Sequence, residues 1–249
     1  MERDWKLAAS GGLAGAVLAL AIGWGAASMG WVPSAGPVGP AIHAYLLAQP
    51  EVHLEAQEKL QAQQDASQDA TRQAAVDKLG MKAFLDPRVA FVTGPADAKT
   101  TIVEFFDYNC PYCRASIPAV KKFYAANRNK ARFAFIDFPI KGPNSIVAAR
   151  AAVAARKQPD KYVKFHFLLM GEEDLVTQDT IFTDARKAGL DVDRLKRDMA
   201  DKSVDTDIAA VHRLADAAKV DGTPAFIVNG KMREGAMTED VLSNMLKHS

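Results

Sequence analysis

The 249-residue sequence predicts an α/β domain: a parallel strand–helix–strand crossover, a helical insertion, and a closing hairpin with a last helix. Three observations carry that class. Residues 100–106 and 131–140 are rich in β-branched and aromatic side chains, and between them Ile117, Val120, Phe123 and Tyr124 recur at helical spacing. Residues 145–220 read as helices punctuated by Pro159, Gly171 and Gly189. Ala225-Phe226-Ile227-Val228 then runs into Asn229-Gly230, the favoured dipeptide of a tight hairpin.

Composition excludes several classes. Lys and Arg number 31 against 30 Asp and Glu, a net charge of +1, which gives no electrostatic footprint for nucleic acid. Charged residues at 24% and hydrophobic ones at 49% argue against wholesale disorder. Two cysteines rule out a disulfide-stapled mini-protein and a four-cysteine zinc site.

Residues 1–32 read as a membrane anchor or a signal segment. Residues 7–32 carry no Asp, Glu, Lys or Arg, a span exceeding the roughly 20 residues a bilayer crossing needs. Trp5 and Trp31 bracket it, and Arg3 and Lys6 precede it, so the rest of the chain is expected outside the cytoplasm. Gly25-Ala26-Ala27-Ser28 offers a cleavage site, leaving a retained anchor and a cleaved signal both open, with a buried soluble helix the lesser alternative. Either form of export puts the cysteines in an oxidising compartment, on the periplasmic side of an inner membrane.

Residues 33–40, with Pro33, Pro37 and Pro40 among glycines, are expected to be a linker. A helical stalk is expected over 41–86. Ile42, Tyr45 and Leu46 give a short amphipathic piece. Pro50-Glu51 opens a helix with a ring suited to the first turn and an acid at the positive dipole end. Its stripe of Val52, Ala56 and Leu60 is too thin to cover a large core. It suits a solvated spacer or a weak oligomer seam. Gly80 closes the helix, and Asp86-Pro87 marks the expected entry to the α/β domain, residues 87–249, with its insertion at about 144–220. Thr238, before Glu239 and Asp240, caps the last helix.

The chemistry lies in Cys110-Pro111-Tyr112-Cys113. A C-x-x-C pair after a strand and opening a helix puts both sulfurs on one side of the first turn. The first cysteine meets the free N–H groups and positive dipole end, which favour thiolate over thiol. Pro111 has no N–H to lose there. Cys110 is expected to form mixed disulfides and Cys113 to resolve them. A static disulfide and a two-thiolate copper site are the alternatives. None of His43, His53, His166, His212 and His248 stands at ligand spacing from another donor, so no metal is assigned. Thiol–disulfide exchange requires no cofactor.

Residues Glu104 to Cys113 (Glu-Phe-Phe-Asp-Tyr-Asn-Cys-Pro-Tyr-Cys) resemble the active-site strand and helix start of thioredoxin-fold oxidoreductases of the DsbA type. Phe138-Pro139-Ile140-Lys141-Gly142-Pro143-Asn144-Ser145 before an Ala-rich helix is similar to another stretch of that group, and Gly222-Thr223-Pro224-Ala225-Phe226 to its cis-proline loop. Residues 42–64 resemble the N-terminal helices of exported relatives, among them the suppressor-of-copper-sensitivity C branch. The resemblance implies a thioredoxin-like fold and a dithiol enzyme that introduces or exchanges disulfides in exported, cysteine-containing proteins. A membrane redox partner would recycle it. It implies a cis Pro224, with Thr223 offering its backbone to an extended peptide, and a proton-moving role for the buried acid Glu104. Pro111 and Tyr112 join Thr223 and Pro224 as substrate-facing residues. Asp107 and Tyr108, like Tyr112, are expected on the rim, and Arg114 on the surface or assisting the thiolate. Pro-Tyr between the cysteines lacks the cation of the Pro-His pair found in strongly oxidising members. An oligomeric isomerase or reductase, with a possible homo-oligomer through the stalk, therefore stays open beside the oxidase, as does a copper-binding dithiol protein.

Overall fold

The computed structural model describes residues 38–247. The membrane or signal segment expected at 1–32 and the first part of the expected linker lie outside them. Among the described residues no helix is long and apolar enough to cross a membrane.

The chain divides into two compact units, the first ending at Gln63 and the second beginning at Gln64. In the first lie helix α1 (Val38–Ala48) and the start of helix α2 (Glu51–Leu79). Residues 38–40 are therefore helical rather than linker. Pro40 falls in the first turn, where its missing N–H has no intrahelical acceptor to forgo. No α1 residue is buried, and Ile42, Tyr45, Leu54 and Leu60 are exposed.

The second unit starts earlier than the expected boundary at 86. The end of α2 is not a solvated spacer, because Val76 packs among Phe84, Val103 and Phe105. After Gly80 (φ 70°) comes a 3-10 turn (Met81–Leu85) that buries Phe84. Strand β1 (Phe91–Thr93), which the sequence reading lacks, pairs antiparallel with Phe133, Ala134 and Phe135. Three residues carry too little periodicity to announce a strand. Gly94, at φ 95°, lets the next turn cross the Ala131 carbonyl so closely that a Cβ would lie 2.2 Å from its oxygen.

Strand β2 (Thr100–Phe106), helix α3 (Pro111–Asn127) and strand β3 (Ala131–Asp137) form the expected parallel crossover, with Thr100 opposite Ala131 and Phe106 opposite Asp137. Helices α4 (Pro143–Ala155), α5 (Pro159–Leu169), α6 (Gln178–Ala188), α7 (Val192–Met199) and α8 (Lys202–Ala218) form the insertion. Alanine runs through the buried side of α4, which lets α5, α7 and α8 approach its backbone. Pro159 opens α5 rather than ending it, and Gly189 closes α6 in the left-handed conformation. Strands β4 (Ala225–Val228) and β5 (Lys231–Glu234) make the hairpin, with positive φ at both Asn229 and Gly230, and α9 (Glu239–Lys247) ends the described chain. The sheet order is β1-β3-β2-β4-β5.

Strand alternation divides the core. Ile102, Phe106, Phe133, Phe135 and Phe226 join α3, α5 and α6 on one face, while Val103, Phe105, Ala134, Ile136 and Ile227 meet α8 and the end of α2 on the other. Glu104 shares the parity of Ile102 and Phe106. Its carboxyl therefore points into the face that also holds both cysteines.

Candidate functional site

The site lies where β2 stops and α3 starts, and Asp107 makes that junction. Its Oδ1 accepts the Asn109 N–H at 2.7 Å and the Ser145 hydroxyl at 2.7 Å; its Oδ2 accepts the N–H groups of Ile140 and Lys141 at 2.7 and 2.9 Å. Asp107 is fully buried, so it clamps the β2–α3 turn to the segment after β3 instead of lining a rim as the sequence suggests. Tyr108 is likewise buried, its hydroxyl 3.2 Å from His166 Nδ1. The Asp-x-Asn spacing at a strand end, an Asx-turn pattern, is the signal that would have found the clamp.

Asn109 and Arg114 extend it. The Asn109 side-chain oxygen accepts the Val176 N–H at 2.8 Å and Arg114 Nη2 at 3.0 Å. Arg114 also donates to the carbonyls of Tyr108 and Glu173 at 3.0 and 3.1 Å. Its guanidinium is spent on two backbone carbonyls and the Asn109 side-chain oxygen; it neither floats in solvent nor pairs with a sulfur.

Cys110 is the N-cap of α3, in extended backbone, and Pro111 follows in the first turn. Both thiols are free and buried. The Cys110 thiol donates to the Thr223 carbonyl at 3.1 Å. Its pKa is lowered from 9.0 to about 5, first by the hydrogen bond from the Cys113 thiol. Burial opposes that shift, while the Thr223 side chain and the backbone N–H groups of Cys113 and Tyr112 add to it. Cys113 moves the opposite way. Burial, and the hydrogen bond it gives to Cys110, hold its thiol far above the usual range.

Glu104 is buried with neither carboxyl oxygen hydrogen-bonded, and burial raises its pKa from 4.5 to about 8. It acts electrostatically on Cys113. Two carbon–sulfur groups and one carboxyl thus have proton affinities pushed apart by environment, the pattern that lets one site both attack and transfer protons. The Thr223–Pro224 peptide is cis. Tyr112, in the first turn of α3, is 67% exposed beside this buried pair. The structure thus brings together Cys110, Cys113, Glu104, Thr223, Pro224, Pro111 and Tyr112. Among the described residues no group of three or more His, Cys, Asp or Glu is placed to hold a metal ion.

Comparison with known proteins adds to this geometry. Residues 86–248 match the family model described as Thioredoxin, and residues 38–66 match the model described as copper resistance protein ScsC N-terminal domain. The chain is 33% identical over 161 residues to the Na(+)/H(+) antiporter NhaA 3 of Salinispora tropica, which is 64% of this chain and 24% of that one. It is 29% identical over 151 residues to the probable disulfide bond formation protein D of Bacillus cereus, 56% of this chain and 69% of that one. The chain spans about a quarter of the length of the first of these relatives. Among solved structures it is similar to a thioredoxin-like oxidoreductase from Silicibacter pomeroyi DSS-3, with 37% identity and a TM-score of 0.62. That likeness covers 68% of this chain and 96% of the other.

Proposed function

Because the chain belongs to the thioredoxin family, we propose that it is a thiol–disulfide oxidoreductase that introduces or exchanges disulfides in exported proteins through Cys110 and Cys113. The observation that carries the reading is the split between the two sulfurs: Cys110 is stabilised as a thiolate at the start of α3, and Cys113 is held protonated behind it.

In the oxidising direction the resting enzyme holds a Cys110–Cys113 disulfide. A substrate thiolate attacks Cys110 Sγ; the substrate–Cys110 bond forms and the Cys110–Cys113 bond breaks. Cys113 leaves as a thiolate and takes a proton from Glu104, whose carboxyl is largely protonated at neutral pH. A second substrate thiolate then attacks the substrate sulfur, and Cys110 departs as a thiolate, a good leaving group because its pKa is low. The substrate is oxidised by two electrons and the enzyme is reduced by two. Run in reverse, Cys110 attacks a substrate disulfide, and Glu104 as carboxylate removes the Cys113 proton so that Cys113 can resolve the mixed disulfide.

The Thr223 carbonyl accepts from the Cys110 thiol, so the Thr223-Pro224 loop, with Pro111 and the exposed Tyr112, would contact an extended substrate peptide. The charge-free stretch at 7–32 supports work on the periplasmic side of an inner membrane, anchored or released, with a membrane redox partner returning Cys110 and Cys113 to the disulfide. The test is to incubate the oxidised protein with a reduced, unfolded secreted protein and count the disulfides formed. One disulfide per enzyme disulfide is expected, and none with Cys110→Ser; formation unaffected by Cys110→Ser refutes the proposal.

A second reading, an oligomeric isomerase or reductase, is favoured by the stalk. The match at residues 38–66 coincides with exposed Ile42, Tyr45, Leu54 and Leu60, apolar side chains that a second copy would cover. Sedimentation of the exported part, together with refolding of a scrambled-disulfide protein, separates the two. A monomer that leaves scrambled disulfides unrepaired is an oxidase only.

A further inference from the structure

Arg72, near the end of α2, makes its main contacts almost the whole domain away in sequence. Its Nε donates to the Lys219 carbonyl at 3.3 Å, and its Nη2 reaches Asp221 Oδ1 at 3.2 Å and Glu234 Oε2 at 3.0 Å. The Arg72 side chain is 14% exposed and Glu234 20%, so the pairing is sheltered, whereas Asp221 is open to solvent. Beside it, Gln73 donates to the Gly230 carbonyl at 2.7 Å and accepts the Met232 N–H at 3.1 Å. It takes the place of a further strand at the edge of the sheet.

Besides Asp69 on its own helix, 3.6 Å from Nη1, Arg72 has three long-range acceptors, and these are not scattered. Lys219 and Asp221 begin the segment that leads into Thr223-Pro224, and Glu234 sits opposite Ala225 in the β4–β5 pairing, just after it. The next residue, Gly235, donates its N–H to the Pro224 carbonyl at 2.9 Å. One planar guanidinium therefore grips both chain segments flanking the loop whose Thr223 oxygen receives the Cys110 thiol at 3.1 Å.

We propose that Arg72 is a positioning residue for the exchange reaction, holding the Thr223-Pro224 loop at its working distance from Cys110 so that the stalk helix takes part in setting the reactivity of that sulfur. The inference rests on the reading of Cys110 as the attacking thiolate. A lysine would not serve equally, because a point charge cannot meet a carbonyl and two carboxylates in one plane.

The experiment is alkylation of Cys110 against pH in the reduced full chain, with thermal unfolding measured in parallel. Arg72→Ala lets the Thr223 carbonyl, which accepts from the thiol and so favours its protonated form, draw away. It is expected to lower the alkylation midpoint by about half a unit to one unit, which is about three- to tenfold more thiolate at a pH below both midpoints. Glu234→Gln is expected to shift it the same way by less. Gln73→Ala, which removes the strand mimic without touching residues 219–221, is expected to lower stability and leave the midpoint in place. A wild-type midpoint in folded Arg72→Ala, or in Glu234→Gln should the first variant not fold, overturns the proposal, as does an equal shift in Gln73→Ala. Because the titration reads the thiol and not turnover, its failure is distinguishable from a failure of the disulfide-exchange reading.

Discussion

Removing the thiol of Cys113 tests the electrostatic core of the site. The Cys110 pKa of about 5, against 9.0 for an ordinary thiol, is four units of stabilisation, and its largest cause is the hydrogen bond from Cys113. A hydrogen bond to a charged acceptor is worth about 1.5–3 kcal/mol, or roughly one to two pKa units at about 1.4 kcal/mol each. In Cys113→Ala the backbone N–H groups of the first turn of α3 remain, so the Cys110 midpoint is expected to climb to about 6–7, not to that of a free thiol. Stability follows with a definite sign. A depressed folded pKa favours the reduced folded state, an advantage complete above about 9 and lost as pH falls through about 5. Four units correspond to about 5 kcal/mol at full linkage; solvent screening at the helix end reduces the observable part to about 2–3 kcal/mol. The assay is iodoacetamide labelling of the reduced protein from pH 3 to 9 with mass detection at Cys110, alongside urea unfolding at the same pH values. A wild-type midpoint near 9 refutes the account of the site, and an unchanged midpoint in Cys113→Ala refutes the assigned cause.

Glu104→Gln is expected to slow resolution at Cys113, seen as accumulation of the substrate mixed disulfide in quenched samples. It should also flatten stability against pH. The raised Glu104 pKa makes its contribution fully present below about 4.5 and lost as pH rises through about 8, so the wild type weakens across that window and the variant does not. Asp107→Ala strips an acceptor from three backbone N–H groups and the Ser145 hydroxyl, and should cost about 3–5 kcal/mol in urea unfolding; a loss under 1 kcal/mol would contradict its role as a clamp. Tyr112→Ala, at an exposed position, should leave stability within about 0.5 kcal/mol and the Cys110 titration unchanged. It should slow exchange with peptide substrates, and equal rates would remove Tyr112 from the substrate surface.

Much of the domain is written in local pattern. The β-branched run at 100–106, the helical spacing after Cys110 and the Asn229-Gly230 turn each carry their own conformational preference. Strand, helix and hairpin therefore fall where the sequence places them. The C-x-x-C pair likewise identifies itself, since a cysteine at the first turn of a helix meets unpaired N–H groups whatever the rest of the chain does. Strand β1 escapes because three residues are held by pairing with β3 and not by their own propensity.

Partnerships at long sequence range were decided by folding alone. Asp107 looks like a surface acid until residues 140, 141 and 145 bring three donors to it, and Arg72 looks like a stalk arginine until residues 219, 221 and 234 arrive beside it. The sequence by itself determined that Cys110 stands at a helix end, where unpaired N–H groups favour a thiolate. Only the tertiary structure decided how far Cys113 and Glu104 would move the other way, because desolvation depends on what the remaining chain packs around them.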